Sequence, residues 1–338
     1  MDSHPTAVNA QPRTLLSVPD GIVLTVGMVI GVGIFKLPSL VAGNSAGPAE
    51  FLLAWLLGGV VSLCGALVYA ELASRHPETG GEYAFLMRGL GRGVAFLFAW
   101  SRMTVIQTGA IAAVAFAFGD YASEIVRLGE SSTALWGAIA VVALTLLNLA
   151  GTLPSKNLQK VMLIALAAAL VLLAVVVCVA ALTTINAAIF TGARTNWALG
   201  RDFPLFRGLG SWRDAGSTPA NALVIQGVIA LALVAAGSVT PDGFGAMVAY
   251  TAPVFWTFFL LTGLTLFVLR AKTGERPAFG VPLYPLVPIA FCAMCAFMLW
   301  SSIDYIRNPD FGPKFGDMVL AGLAIMLAGI PVYWLARR

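Results

Sequence analysis

The chain has 338 residues, of which 59% are hydrophobic and only 11% charged, with a mean hydropathy of +0.88. A soluble domain carries roughly 25% charged residues, so this composition excludes one and points to an all-α polytopic membrane protein with the lipid bilayer as its surroundings. The net charge of +4 is spread over many short segments, which excludes a nucleic-acid-binding patch.

Residues 1–18 are polar, with Pro5, Pro12 and a lone Arg13, and lack the charged start and cleavage site of a signal peptide. They read as a cytoplasmic tail, and residues 19–338 as one transmembrane domain. Apolar runs fall at roughly 21–43, 50–73, 94–119, 134–150, 161–192, 221–238, 245–270, 284–303 and 317–336, which predicts about nine or ten membrane helices. Within the first run, Val26–Pro38 carries a glycine cluster, Gly27, Gly31 and Gly33. The flanking halves each cover roughly 13–15 Å, half the hydrocarbon thickness, so the glycines sit near the bilayer midplane. Two readings compete there. Gly27 and Gly31 make a Gly-x-x-x-Gly packing face, or the helix breaks and turns backbone amides toward a ligand, as in the discontinuous helices of secondary transporters. Lys36 follows at once and either adds positive charge beside an anion or snorkels to the interface.

The second run ends at Glu71, Glu82 lies in the following loop, and Arg102 stands about eight residues into the third run. A charge at that depth is costly alone. Glu71 and Glu82 are its candidate partners, in a structural ion pair or in a gate that breaks and reforms. Trp100, Trp256 and Trp300 read as interface or packing aromatics.

Basic residues fall unevenly. With the amino terminus inside, fifteen of the 20 Lys and Arg lie on inner segments, Arg194, Arg201, Arg207 and Arg213 among them, and only Arg127, Arg307 and Lys314 on outer ones. That bias sets the orientation, amino terminus cytoplasmic, in a cell membrane. It also exposes a conflict in the fifth run. Lys156 and Lys160 before it and the four arginines after it all belong inside, which requires two crossings. The run from Val161 to Gly192 is too long for one span and too short for two with a turn, and has no Gly, Pro or charge before Phe190 to make one.

Cys64, Cys178, Cys292 and Cys295 all lie in apolar runs, and His4 and His76 are the only histidines. Cys292 and Cys295 alone are an incomplete metal set, and no nucleophile–base pair stands out, so neither metal, cofactor nor enzyme chemistry is expected.

Val26–Pro38, followed by Ala66–Phe85 with Glu71, Gly80, Gly81 and Glu82, resembles the first two helices and inner loop of the amino acid–polyamine–organocation superfamily of permeases. Asn148–Gly151 with Asn157–Gln159 is similar to the connection between the family's fourth and fifth helices, Thr183–Pro204 to the end of its eighth, and Ser217–Ala222 to the entry of its ninth. The resemblance covers nearly the whole chain but skips. Helices six and seven and the start of eight have no counterpart, and the fifth helix runs into the second half of the eighth.

This resemblance implies an incomplete inverted-repeat fold, with 19–182 as the first five-helix repeat, 183–270 as the remnant of the second and 271–338 as two further helices. It implies an amino-acid substrate, carried by secondary active transport or exchange with alternating access, in a chain whose missing segment leaves it without activity. The alternative is a non-transporting membrane protein that packs on another subunit. The substrate carboxylate is expected on the backbone of Ile30, Gly31, Val32, Gly33, Ile34 and Phe35, and the family then favours the cradle over simple packing. Proton-coupled members carry a lysine in the fifth helix where this chain has Leu166. Thr183 and Thr184 stand near the family's sodium position, so proton coupling, sodium coupling and exchange stay open.

Overall fold

A computed structural model describes residues 17–29, 33–77, 80–168, 173–213, 217–272, 277–304 and 313–337. The described parts of the first apolar run are helical, α1 (Val18–Val29) and α2 (Gly33–Gly43). α3 (Pro48–Arg75) opens with Pro48, whose missing N–H is not needed in a first turn, and Glu50 accepts a hydrogen bond from the Ala46 amide at 2.6 Å. A short helix α4 (Glu82–Gly89) follows, beside the arginines of its loop. The third span is α5 (Arg92–Ser101), a π turn (Arg102–Ile106) and α6 (Gln107–Ile125), in which the Gln107 N–H reaches back to the Arg102 carbonyl. Then come α7 (Ser132–Ala150), α8 (Thr152–Ala168) and α9 (Leu173–Asp202), a 3₁₀ turn (Pro204–Gly210), and α10 (Ala220–Gly237), α11 (Gly243–Lys272), α12 (Leu286–Asp304) and α13 (Pro313–Ala336).

Among the described residues, eight helices are long and apolar enough to span a bilayer. α6 and α9 lie at the centre and most of each is buried, whereas α3 and α13 are largely exposed. Leu52, Leu53, Leu56, Leu57 and Val60 of α3 face outward, as lipid-facing side chains must where the solvent is hydrocarbon. Glycine sets the closest crossing. A Cβ on Gly119 would stand 2.0 Å from the Thr133 carbonyl oxygen, and one on Gly137 would stand 2.9 Å from that of Ala115, so α6 and α7 meet backbone to backbone.

The fifth run differs from its expected form as one apolar segment. Asn186 of α9 donates to Gln159 Oε1 at 2.8 Å and accepts from Asn148 Nδ2 at 2.8 Å, while Ser155 Oγ reaches Asn186 Oδ1 at 3.3 Å. One continuous helix would hold residues 155 and 186 about 46 Å apart. α8 and α9 are therefore antiparallel neighbours rather than one helix running on. The hairpin fits because α8 starts at Thr152, nine residues before the apolar run: Thr152, Ser155 and Gln159 are buried although polar, each with a hydrogen-bond partner. Both ends of the pair lie together, since Thr152 Oγ1 donates to the Ser217 carbonyl at 2.7 Å and Arg213 donates to that of Leu149. The expected repeat boundary at 182/183 falls inside α9.

Candidate functional site

α1 and α2 flank Ile30, Gly31 and Val32, which lie outside the described residues, as do the side chains of Ile34 and Lys36. Gly33 is the first described residue of α2, and among the described residues a Cβ there would meet Leu37, its Cδ1 at 3.4 Å. Phe35 packs against Val176 and Ala180 of α9, so α2 leans on the hairpin. α1 is tied to the same hairpin by charge. Asp20 lies 2.6 Å from Lys156 Nζ and 2.8 Å from Lys160 Nζ, and the Ser17 hydroxyl and amide donate to it. The two lysines hold its carboxyl far below the usual carboxylate range.

Thr183 and Thr184 donate to the carbonyls of Val179 at 2.8 Å and Ala180 at 3.1 Å, one turn back on α9. This is the ordinary habit of a helical hydroxyl.

Arg102 and Glu82 meet, at 2.8 Å, and Tyr69 donates to the same carboxylate. Glu71 belongs to a different cluster. Fully buried, it accepts from Arg75 Nε at 2.9 Å, from Arg270 Nε at 2.8 Å and from the Val281 amide at 2.8 Å. The two acids have different partners: Glu71, near the end of α3, sits with Arg75 and Arg270, whereas Arg102 of the π turn meets Glu82 at the head of α4. At the same end Tyr83 donates to Asp202 at 2.8 Å, Arg92 to the Asp202 carbonyl at 3.2 Å and Lys272 to the Gly89 carbonyl at 2.9 Å. The predicted inner charges thus gather at one end of the bundle.

Above this end a cavity of about 910 Å³ opens between α3, α4, the third span, α9 and α11. Its wall is aromatic, with Phe98, Phe255, Trp256 and Phe259, and its polar groups include Glu82, Arg102, Gln107 and Arg194. Arg194, counted from sequence as a loop charge, is inside α9, eight residues before its end at Asp202. Behind the wall Gln107 donates to the Ala188 carbonyl at 2.9 Å, and Asn196 donates to Gln226 Oε1 at 3.2 Å. A Cβ on Gly192 would stand 2.5 Å from both Gln107 Cγ and Gln226 Oε1. α9 can approach α6 and α10 only because that residue is glycine.

Sequence reasoning did not single out Asp20, Tyr69, Gln107 or Arg194. The signal for Asp20 was present, a carboxylate at the head of an apolar run, with Lys156 and Lys160 read only for topology. Cys64, Cys178, Cys292 and Cys295 are free thiols, and no cluster of metal-binding side chains occurs among the described residues.

Comparison with known proteins shows similarity to one family. The pattern described as amino acid permease matches residues 16–181 and 165–328, two overlapping segments that together take in most of the chain. A serine/threonine exchanger of Bacillus subtilis is 34% identical over 131 residues, 39% of this chain and 30% of the relative. The b(0,+)-type amino acid transporter 1 of Oryctolagus cuniculus is 32% identical over 158 residues, 46% of this chain and 32% of the relative. Cationic amino acid transporter 4 of Mus musculus is 27% identical over 311 residues, 88% of this chain and 41% of the relative. The chain spans about a third of the length of the first two and two-fifths of the third.

Proposed function

This chain belongs to the amino acid permease family, and from that premise we propose that it is an amino-acid transporter by descent whose substrate carboxylate rests on the backbone around Gly31–Gly33. What supports the reading is the family match together with the sequence of the first apolar run, where Gly27, Gly31 and Gly33 cluster between two apolar halves each about half a bilayer thick. A helix start at bilayer depth offers free amides and partial positive charge to an anion. The contacts of α1 with Lys156 and Lys160, and of Phe35 with α9, couple such a site to the α8–α9 hairpin.

The arginine-rich end faces the cytoplasm in this proposal, in a cell membrane, with the amino terminus on the same side. The Glu82–Arg102 pair, with Tyr69, is the candidate gate: it closes the aromatic cavity from the cytoplasmic end and opens by breaking. Glu71, held by two arginines and an amide, serves structure. Thr183 and Thr184 donate within their own helix, which leaves the lone pairs of their oxygens able to accept, so coupling by protons, by sodium or by exchange all fit this proposal.

The counterparts of the family's sixth and seventh helices and the start of the eighth are missing between α8 and α9, so the face opposite the glycine cradle is incomplete. The chain then binds an amino acid without moving it uphill. Equilibrium binding of a panel of labelled amino acids to the purified chain tests the site. Gly33→Val, whose Cβ would stand at ordinary contact distance from Leu37, is expected to abolish binding with membrane expression unchanged; equal binding by parent and variant would remove the site from Gly33.

A further inference from the structure

The aromatic cavity holds one charge that no carboxylate among the described residues neutralises. Arg102 is balanced by Glu82. Arg194 has no carboxylate within ion-pair distance among the described residues; its Nη1 donates to the carbonyl of Phe190 at 2.6 Å and its guanidinium lies 3.4 Å from the centre of the Phe190 ring. That arrangement engages one face and one N–H of a group with five N–H donors. Eight residues from the end of α9, Arg194 is about 12 Å inside the bundle, where an uncompensated cation is costly and marks a functional position. Most of the remaining wall is apolar, with Phe255, Trp256 and Phe259 of α11 and Phe98 of α5 as its aromatic part. Among the described residues none from α1 or α2 lines it.

We propose that this cavity is a second ligand site, distinct from the glycine cradle, which takes a small monocarboxylate with an aromatic or large aliphatic body. The carboxylate pairs with the free edge of Arg194, and the body lies along Phe255, Trp256 and Phe259. Thr191 and Thr195, one on each side of Arg194 along α9 and both lining the cavity, flank the carboxylate position. Such a pocket, mostly apolar with a few placed polar groups, is the usual form of a small-molecule site, and its volume suits a ligand of this size. The cavity's net charge, one carboxylate against two guanidinium groups, favours an anion over a neutral or cationic analogue.

The test is equilibrium binding of labelled 3-phenylpropionate to the full chain in lipid nanodiscs, with 3-phenylpropionamide and phenethylamine as unlabelled competitors. Saturable binding is expected, displaced by unlabelled 3-phenylpropionate at least about ten-fold better than by the amide, as loss of a charge-assisted hydrogen bond implies. Phenethylamine should not compete. Arg194→Gln should weaken binding about ten-fold or more, and Arg194→Lys less. Should Arg194→Gln fail to fold, Thr191→Glu supplies a carboxylate three residues before Arg194 on the same helix, where it pairs with the guanidinium, and should lose the anion equally. Gly33→Val should leave 3-phenylpropionate binding intact, which separates failure here from failure of the cradle. No saturable binding, equal displacement by acid and amide, or unchanged affinity in both Arg194→Gln and Thr191→Glu would overturn the proposal and leave Arg194 as a residue held only by its own helix.

Discussion

Asn186→Leu is the substitution that tests how the molecule is held together around the hairpin. Asn186 is fully buried and joins three helices, with two bonds of 2.8 Å to Asn148 and Gln159 and two longer ones, 3.3 and 3.4 Å, to Ser155. Interhelical hydrogen bonds in membrane proteins average about 0.6 kcal/mol, so the two short bonds contribute about 1 kcal/mol. The larger part comes from what is left behind. Gln159 Nε2 already lacks a partner, and without Asn186 both ends of that buried amide are orphaned, at a cost of about 1–3 kcal/mol. Asn148 retains its bond to the Leu144 carbonyl and the one from Ser155, so its share is small. Asn186→Leu should therefore destabilise by about 2–4 kcal/mol, measured by reversible unfolding in mixed detergent and SDS. Thr183→Val is the control: it is equally buried on the same helix, but its hydroxyl donates only to Val179 of its own turn, and the loss should stay under about 1 kcal/mol. Equal costs for the two, or an Asn186→Leu value near zero, would refute the idea that a polar seam holds α8 against α9.

Glu71→Gln should cost about 3 kcal/mol, because Arg75 and Arg270 lose a buried counter-charge, and the double variant Glu71→Gln with Arg270→Met should recover part of it in the same unfolding assay. Asp20→Asn should lower the melting temperature. Because the folded-state pKa of Asp20 is depressed, its contribution is fully present above the ordinary carboxylate pKa of about 4 and fades only as pH falls further, so the difference between parent and variant should be the same at pH 7 and pH 5. A reporter fused after Arg213 should lie on the same side as one fused after Lys160, and that side should be the cytoplasm; opposite sides would contradict the hairpin.

What the sequence made legible was whatever hydropathy and charge control. The span positions and the gathering of basic residues at one end both follow from segments that either tolerate lipid or do not. The hairpin was legible only as a contradiction in charge, because apolar-run counting cannot see that Thr152, Ser155 and Gln159 are buried polar residues satisfying one another. Partner choice was legible in part. Arg102 required a carboxylate, but the selection of Glu82 over Glu71 depends on a π turn and on the placement of α4, neither of which has a sequence period. Arg194 was hidden among loop arginines because α9 runs on past Gly192, a residue needed for its close contact with Gln107 and Gln226 rather than for a turn.

The central claim, a permease with one half of its substrate site missing, is tested most directly by uptake of labelled amino acids into liposomes containing the purified chain, beside a version with the missing segment restored from a close relative between α8 and α9. The restored version should accumulate substrate and the unrestored chain should not. Accumulation by the unrestored chain, or none by a folded restored version, would contradict the account.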